Sequence, residues 1–271
     1  MDRRAKLLSD IDLDRDCGLE IGPLASPIIP KFASRGVSYA DHCSTDDLVA
    51  KYATEVAAEK IVGIDVVWSA GCLKDAVGGR TFDYVVASHI IEHVPNLIGW
   101  LEEIAGVLRP GGILALAVPD KRYTFDVARP LSTVGEIIGA HVGAHVIPSV
   151  QQVYDNYTMA RAVDAASLWD GSQDAETAPH LHPRGVAAAF VERVVFDDYV
   201  DCHCWIFTPR SFLDVLRALA AEGYVSFGVR RFFDSAPGEN EFIVILTSPA
   251  PEPQSYLVPE ASGETVDVGP L

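Results

Sequence analysis

The sequence predicts an α/β fold: a mostly parallel sheet with helices on both faces and a long insertion after its fifth strand. Three observations carry that reading. Short apolar runs alternate with helix-like stretches over residues 16–120, the pattern of consecutive βα units. The run Phe82–Ser88 (FDYVVAS) is β-branched and largely apolar, bounded by Gly78 and Gly79, as expected of a buried strand. The alternation fails between Asp120 and Phe207 and returns at Thr208–Pro209. With 271 residues, 49% of them hydrophobic and 22% charged, the chain can bury a real core, which excludes wholesale disorder.

Each element has a local reason. Cys17–Ile21 reads as the first strand, followed by a loop at Gly22–Pro30, and Gly36–Ala40 as the second. Ser44 and Asp47 form a plausible capping box that opens a helix through about Glu59. Ile64–Trp68 is a third strand and Phe82–Ser88 the fourth. Asn96 caps a helix whose apolar positions, Ile98, Leu101, Ile104 and Leu108, approach helical spacing. Arg109-Pro110-Gly111-Gly112 stops it, and Ile113–Val118 is the fifth strand. Thr208 with Pro209 starts a helix that buries Phe212, Leu213, Leu216 and Leu219 and ends at Gly223. Tyr224–Phe232 and Glu241–Thr247 then read as two strands around a turn at 235–240. The tail after Pro249, rich in Pro, Glu, Ser and Gly, is expected to be loosely held.

Composition narrows the function. The net charge of −17 repels polyanions, which argues against nucleic acid as a partner. No window holds ~18 uncharged apolar residues, so no membrane span is expected. The N-terminus lacks the apolar core of a secretory signal, which favours the cytoplasm. Five scattered cysteines fit reduced thiols better than a disulfide framework.

The candidate chemistry lies at the carboxyl ends of the strands, where open α/β sheets bind ligands. Glu20-Ile21-Gly22-Pro23 is a strand ending in an acidic residue and a glycine. A single glycine, with Pro27 close behind, is unlike the G-x-G-x-x-G of dinucleotide binders. Asp41, at the end of the second strand, can accept hydrogen bonds from both hydroxyls of a ribose. After the fourth strand come Ser88, His89 and His93. The two histidines are four residues apart, but no nearby third ligand is evident, so no metal is expected there. Cys202-His203-Cys204 is likewise too tightly spaced for a closed zinc site.

The run FDYVVASHIIEHVPN…WLEEIAGVLRPGGILALAVPD resembles the central stretch of class I S-adenosylmethionine-dependent methyltransferases of the small-molecule branch. The resemblance covers residues 17–120 well and 208–248 loosely. It departs at the first motif, where Leu24 stands in place of a second glycine. LEIGPLASP and PDKRYTFDVARPLST are similar to uncharacterised bacterial methyltransferases associated with surface-polysaccharide synthesis. The resemblance implies a Rossmann-like sheet of seven strands, mostly parallel, with the last one antiparallel. It also implies S-adenosyl-L-methionine as cofactor and S-adenosyl-L-homocysteine as product. Glu20, Gly22 and Pro23 would then border the methionine moiety and Asp41 the ribose. Trp68 and Ser69 would flank the adenine, and Ser88 and His89 would lie beside the sulfonium.

Residues 1–119 are thus expected to form the cofactor-binding half with an N-terminal extension. Residues 120–207 would be a substrate-binding lid, 208–248 would complete the sheet, and 249–271 would be a flexible tail. Within the lid, Arg122 or Arg129 could clamp an anionic acceptor group, with His182 a weaker candidate contact. If 201–205 is a strand, Asp201, His203 and Trp205 share one face, and a carboxylate-oriented His203 is the first candidate general base. His89 and His93 come next. The expected reaction is methyl transfer, O-methylation favoured, to a small-molecule or saccharide-type acceptor. The alternatives are a catalytically inactive cofactor-binding domain and, less favoured, a nicotinamide-dependent oxidoreductase.

Overall fold

The fold is that of a computed structural model, which describes residues 1–34, 36–69, 71–196, 198–248, 255–259 and 265–270. A short helix α1 (Arg3–Leu7) precedes strand β1 (Cys17–Ile21). Strand β2 (Gly36–Asp41), helix α2 (Thr45–Lys51), strand β3 (Val66–Val67) and helix α3 (Leu73–Ala76) follow. Next come strand β4 (Phe82–Ser88), helix α4 (Leu97–Val107) and strand β5 (Leu108–Pro119). Among the described residues of the insertion are four α-helices: α5 (Val134–Val142), α6 (Val150–Met159), α7 (Ala165–Asp170) and α8 (Val186–Val195). Helix α9 (Pro209–Ala221) and strands β6 (Gly228–Phe233) and β7 (Glu241–Ser248) complete the sheet. The tail contains an antiparallel pair, β8 (Ser255–Pro259) and β9 (Thr265–Pro270). The rest of the expected flexible tail lies outside the described residues.

Among the described residues the main sheet has seven strands in the order β3-β2-β1-β4-β5-β7-β6. Only β7 runs against its neighbours. The order reverses between β1 and β4, and the crevice beyond their carboxyl ends is where such sheets bind ligands. Period-two alternation sorts the core into two faces. Leu19, Val85, Leu114 and Val244 pack under α4 and α9. Tyr39, Val86, Ala115 and Ile245 pack under Leu7, Ile28 and Ile29. No helix of the described residues is long and apolar enough to cross a membrane.

Some elements differ from expectation. The helix after Ser44 keeps its capping box but ends at Lys51, not near Glu59. From Lys51 to Lys60 no side chain is buried, so no core contact sustains a longer helix. The third strand shrinks to two residues, and β5 begins at Leu108 because Phe82 pairs with it before the register shifts. The segment 120–207, in which sequence periodicity is poor, holds four short helices, two of them opened by the capping boxes Thr133/Glu136 and Ser149/Gln152. Residues 200–207 form neither helix nor strand.

Candidate active site at the sheet's switch point

The crevice is built from both strands that flank it. On the β1 side, Glu20 is 3% exposed and accepts the N–H groups of Ile28 at 2.6 Å and Ile29 at 2.9 Å. Its carboxylate therefore folds the proline-rich loop back over the sheet. Burial pushes the Glu20 carboxyl up to about 7, against the pull of those N–H bonds and of Arg3 and Arg4. Gly22 has φ +66°, and a Cβ there would sit 2.2 Å from Ile90 Cδ1. This glycine lets the chain leave β1 close to the segment leaving β4. Leu24 also has positive φ, at +41°, and its carbonyl accepts the Val62 N–H at 2.8 Å. A side chain thus occupies the left-handed bend where the family pattern has glycine. Pro23 is buried beside it.

Asp41 is buried at the end of β2, and its Oδ1 accepts the backbone N–H of exposed His42 at 2.7 Å and lies 2.6 Å from the His42 ring. The Asp41 carbonyl accepts the Trp68 N–H at 2.8 Å, which brings the β3 end alongside. Trp68 is half-buried with its indole N–H on the Gly71 carbonyl at 3.1 Å, and Ser69 is exposed. An acid thus stands at the second strand end, an aromatic at the third, and at the first a glycine bend with no room for a side chain.

On the β4 side, Ser88 accepts a hydrogen bond from Arg3 at 2.5 Å, and His89 takes φ +54°, a strained value for a side-chain residue. The following 3₁₀ turn, Ile91–His93, carries Glu92, 1% exposed, with no hydrogen-bond partner for either carboxylate oxygen. Three histidines surround it. His89 Nδ1 is 3.5 Å from Glu92 Oε1, His93 Nε2 is 3.9 Å and His203 Nε2 is 4.0 Å. Each ring is held from its other nitrogen by a carboxylate: His89 by Glu241 at 2.7 Å, His93 by Asp201 at 2.9 Å and His203 by Asp126 at 2.5 Å. Arg129, 3% exposed, closes the far side of Asp126 at 2.8 Å. The backbone makes the assembly possible, because the Glu92 carbonyl accepts the N–H groups of Cys204 at 2.6 Å and Trp205 at 3.3 Å.

The electrostatics follow from these partners. Burial opposes charging of His89, but its hydrogen bond to Glu241 and the negative charge of the nearby Glu92 overcome that and lift it to about 9. The same contest, decided by Asp201 and Glu92, raises His93. Burial would raise Asp126, yet the His203 and Arg129 contacts hold its carboxyl below the usual carboxylate range. Asp201, answered by His93, and Glu241, answered by His89 and Arg3, are lowered in the same way.

The structure thus brings Gly22, Asp41, Trp68, Ser88, His89, His93 and His203 to one end of the sheet. Asp201 orients His93 at 2.9 Å, and the carboxylate on His203 is Asp126 at 2.5 Å; 200–207 is not the strand on which the expected pairing depended. Arg129 turns inward to Asp126. Arg122 is committed to Asp120 at 2.6 Å and Asp234 at 3.4 Å. His182 packs on Tyr157, ring centroids 4.7 Å apart. Glu92 belongs to the stretch that carries the family resemblance but has no role assigned from sequence; the pattern His89-x-x-Glu92-His93 is the signal that points to it.

Comparison with known proteins agrees with this architecture. Residues 8–219 match the family described as a methyltransferase domain, well over half of the chain. The ubiquinone biosynthesis O-methyltransferase of Parvibaculum lavamentivorans is 34% identical over 106 residues, 39% of this chain and 38% of that protein. The chain therefore spans well under half the length of that relative. Among solved structures, a protein from Rhodobacter sphaeroides described as a Zn-dependent alcohol dehydrogenase has TM-score 0.45 at 18% identity, covering 91% of this chain and 89% of that one. A methyltransferase from Listeria monocytogenes has TM-score 0.43 at 11% identity, covering 90% and 98%. At such scores neither likeness bears on the chemistry. The family match, the seven-strand order with its antiparallel β7 and the glycine-and-acid crevice agree, and the chain belongs to the methyltransferase-domain family, the S-adenosyl-L-methionine-dependent enzymes that its motifs resemble.

Proposed function

We propose that the protein transfers a methyl group from S-adenosyl-L-methionine to a hydroxyl of a small-molecule or saccharide-type acceptor, leaving S-adenosyl-L-homocysteine. The observation that supports this most is the convergence of three carboxylate-held histidines on Glu92 at the crevice. Bound, the cofactor supplies an electrophilic methyl group on sulfur with a neutral thioether as leaving group. What remains for the protein is alignment, exclusion of water and removal of one proton.

Glu20, Gly22 and Pro23 would border the amino-acid end, Asp41 would grip the ribose, and Trp68 with Ser69 would flank the base. With its Nδ1–H given to Asp126, His203 keeps the Nε2 lone pair on the Glu92 side. As the acceptor oxygen bonds to the methyl carbon, its proton passes to His203 Nε2, and the imidazolium formed lies between Asp126 and Glu92. His89, lifted to about 9, keeps its proton at neutral pH and acts as a donor beside Ser88. His93 supports the cluster from its exposed side. Arg129 acts through Asp126, while Arg122 and His182 are the remaining candidates for acceptor contact. Residues 120–207 would serve as the lid. The reading includes a cytoplasmic location and no nucleic-acid partner, as charge and sequence suggest, and the O-methyltransferase relative is in keeping with a hydroxyl acceptor.

The test is His203→Asn assayed with a hydroxyl acceptor found by screening. Turnover should fall about 10²–10⁴-fold while S-adenosyl-L-homocysteine affinity holds. Undiminished turnover would remove His203 as the base. Cofactor binding without transfer to any acceptor would favour the inactive-domain alternative, and no binding would end the methyl-transfer reading.

A further inference from the structure

We propose that Glu92, His93 and His203 form a site for one divalent first-row transition cation, of the zinc, iron(II) or manganese(II) class. The starting point is an electrostatic problem. Glu92 is 1% exposed, and neither of its oxygens has a hydrogen-bond partner. A carboxylate taken out of water without partners is strongly unfavourable, and folds keep one there when a charge arrives to meet it. Arg129 and Arg3 do not meet it, since they are spent on Asp126 and Glu241; the nearest cationic group is the His89 ring, whose Nδ1 stays 3.5 Å from Oε1 while its Nε2 is held by Glu241 at 2.7 Å.

The geometry fits an ion. The donor atoms of Glu92, His93 and His203 all lie within 4.8 Å of one another. Two donors bound to one zinc at about 2.1 Å can be no more than ~4.2 Å apart. The separations from Glu92 Oε1, 3.9 Å to His93 Nε2 and 4.0 Å to His203 Nε2, fall inside that span. The two rings' donors lie within 4.8 Å, which at its limit exceeds that span, so ligation would draw them together by up to roughly 1.4 Å to reach tetrahedral spacing. The His93 side chain, 31% exposed and on the surface side of the turn, has room for that shift.

The surroundings match too. A metal-bound histidine commonly gives its second ring N–H to a carboxylate, which fixes the tautomer and strengthens the ligand. Both rings already have this partner, Asp201 on His93 Nδ1 and Asp126 on His203 Nδ1. Two imidazoles and one carboxylate select borderline first-row cations, and three protein ligands leave positions open for an exogenous oxygen. His89 Nδ1, 3.5 Å from Glu92 Oε1, stands next to one such position. The sequence hides the site because its ligands come from a turn and from a segment more than a hundred residues later.

The inference shares the cluster with the methyl-transfer reading but does not depend on it. In the loaded protein His203 would be a ligand, and a hydroxyl sharing the ion would give up its proton more readily to water. Metal binding is therefore measured without cofactor or acceptor, so that either idea can fail alone.

The full chain is stripped with chelator and titrated with Zn²⁺ by calorimetry, and with Co²⁺ by visible absorption. One equivalent should bind, Co²⁺ should develop ligand-field bands, and the melting temperature should rise. Glu92→Gln and His93→Gln should abolish that equivalent, and Asp201→Asn, a solvent-facing change, should weaken it by about 10–100-fold. If Glu92→Gln does not fold, His93→Gln, at a half-buried position, decides alone. Absence of stoichiometric uptake, or uptake unchanged in His93→Gln, would overturn the proposal.

Discussion

Replacing Asp126 by alanine isolates the pair on which the proposed base depends. Asp126 is 2% exposed and accepts from Arg129 at 2.8 Å and His203 at 2.5 Å. Its loss strands a buried guanidinium whose Nε already lacks a partner and whose other contacts, Asn156 at 3.3 Å and the Gln152 carbonyl at 3.5 Å, are long. Breaking a buried ion pair from one side costs about 3–5 kcal/mol. For a domain of this size each kcal/mol moves Tm by about 2–4 °C, so Asp126→Ala should melt about 6–20 °C lower. Arg129→Met in the same background removes the stranded charge. The double variant should therefore be more stable than the two single losses added together, by about 1–3 kcal/mol. Denaturant unfolding of the four proteins gives the cycle directly. An Asp126→Ala variant within about 0.5 kcal/mol of wild type, or strict additivity, would refute the idea that Arg129 and Asp126 act as one buried unit.

Three further outcomes are expected. Glu20 is lifted from 4.5 to about 7 in the fold, so the native state holds more protons than the unfolded chain between those values; its contribution to stability falls as pH rises through that window, by on the order of 3 kcal/mol. Unfolding midpoints of wild type and Glu20→Gln compared across it should show the extra downward slope in wild type alone, and parallel curves would contradict it. Asp41→Ala should weaken S-adenosyl-L-homocysteine by about 10–100-fold, the loss of charge-assisted hydrogen bonds worth ~1.5–3 kcal/mol, and unchanged calorimetric affinity would remove Asp41 from the ribose site. Gly22→Ala should cost about 1–2 kcal/mol for its left-handed backbone plus the displacement of Ile90, and Ile90→Ala should restore only the second part. Full rescue in the double variant would mean that backbone conformation is not the constraint.

What was legible depended on how local the determinant is. Strand β4 and helix α9 announce themselves, one by a β-branched apolar run and the other by Thr208 with Pro209 at the first helical position. The family resemblance implies seven mostly parallel strands with the last antiparallel, as the sheet has, but not their order. The length of α2 was not legible, because tertiary contact decides it and Leu48 is its one buried residue. The insertion's helices are short, with caps readable at Thr133 and Ser149 but faces too small to impose a period. In the site, Gly22, Asp41 and His89 follow from the rule that ligands meet the carboxyl ends of strands. The pairing of His203 with Asp126, 77 residues away, and the burial of Glu92 do not, because both depend on how 200–207 docks against the turn after β4.

The most direct test of the whole account is a crystal structure with S-adenosyl-L-homocysteine. The ribose hydroxyls should rest on the Asp41 carboxylate, displacing the His42 ring, and the sulfur should face the cluster around Glu92. The homocysteine chain should pass over Gly22. A ligand bound elsewhere, or one whose sulfur points away from His203 and Glu92, would contradict it.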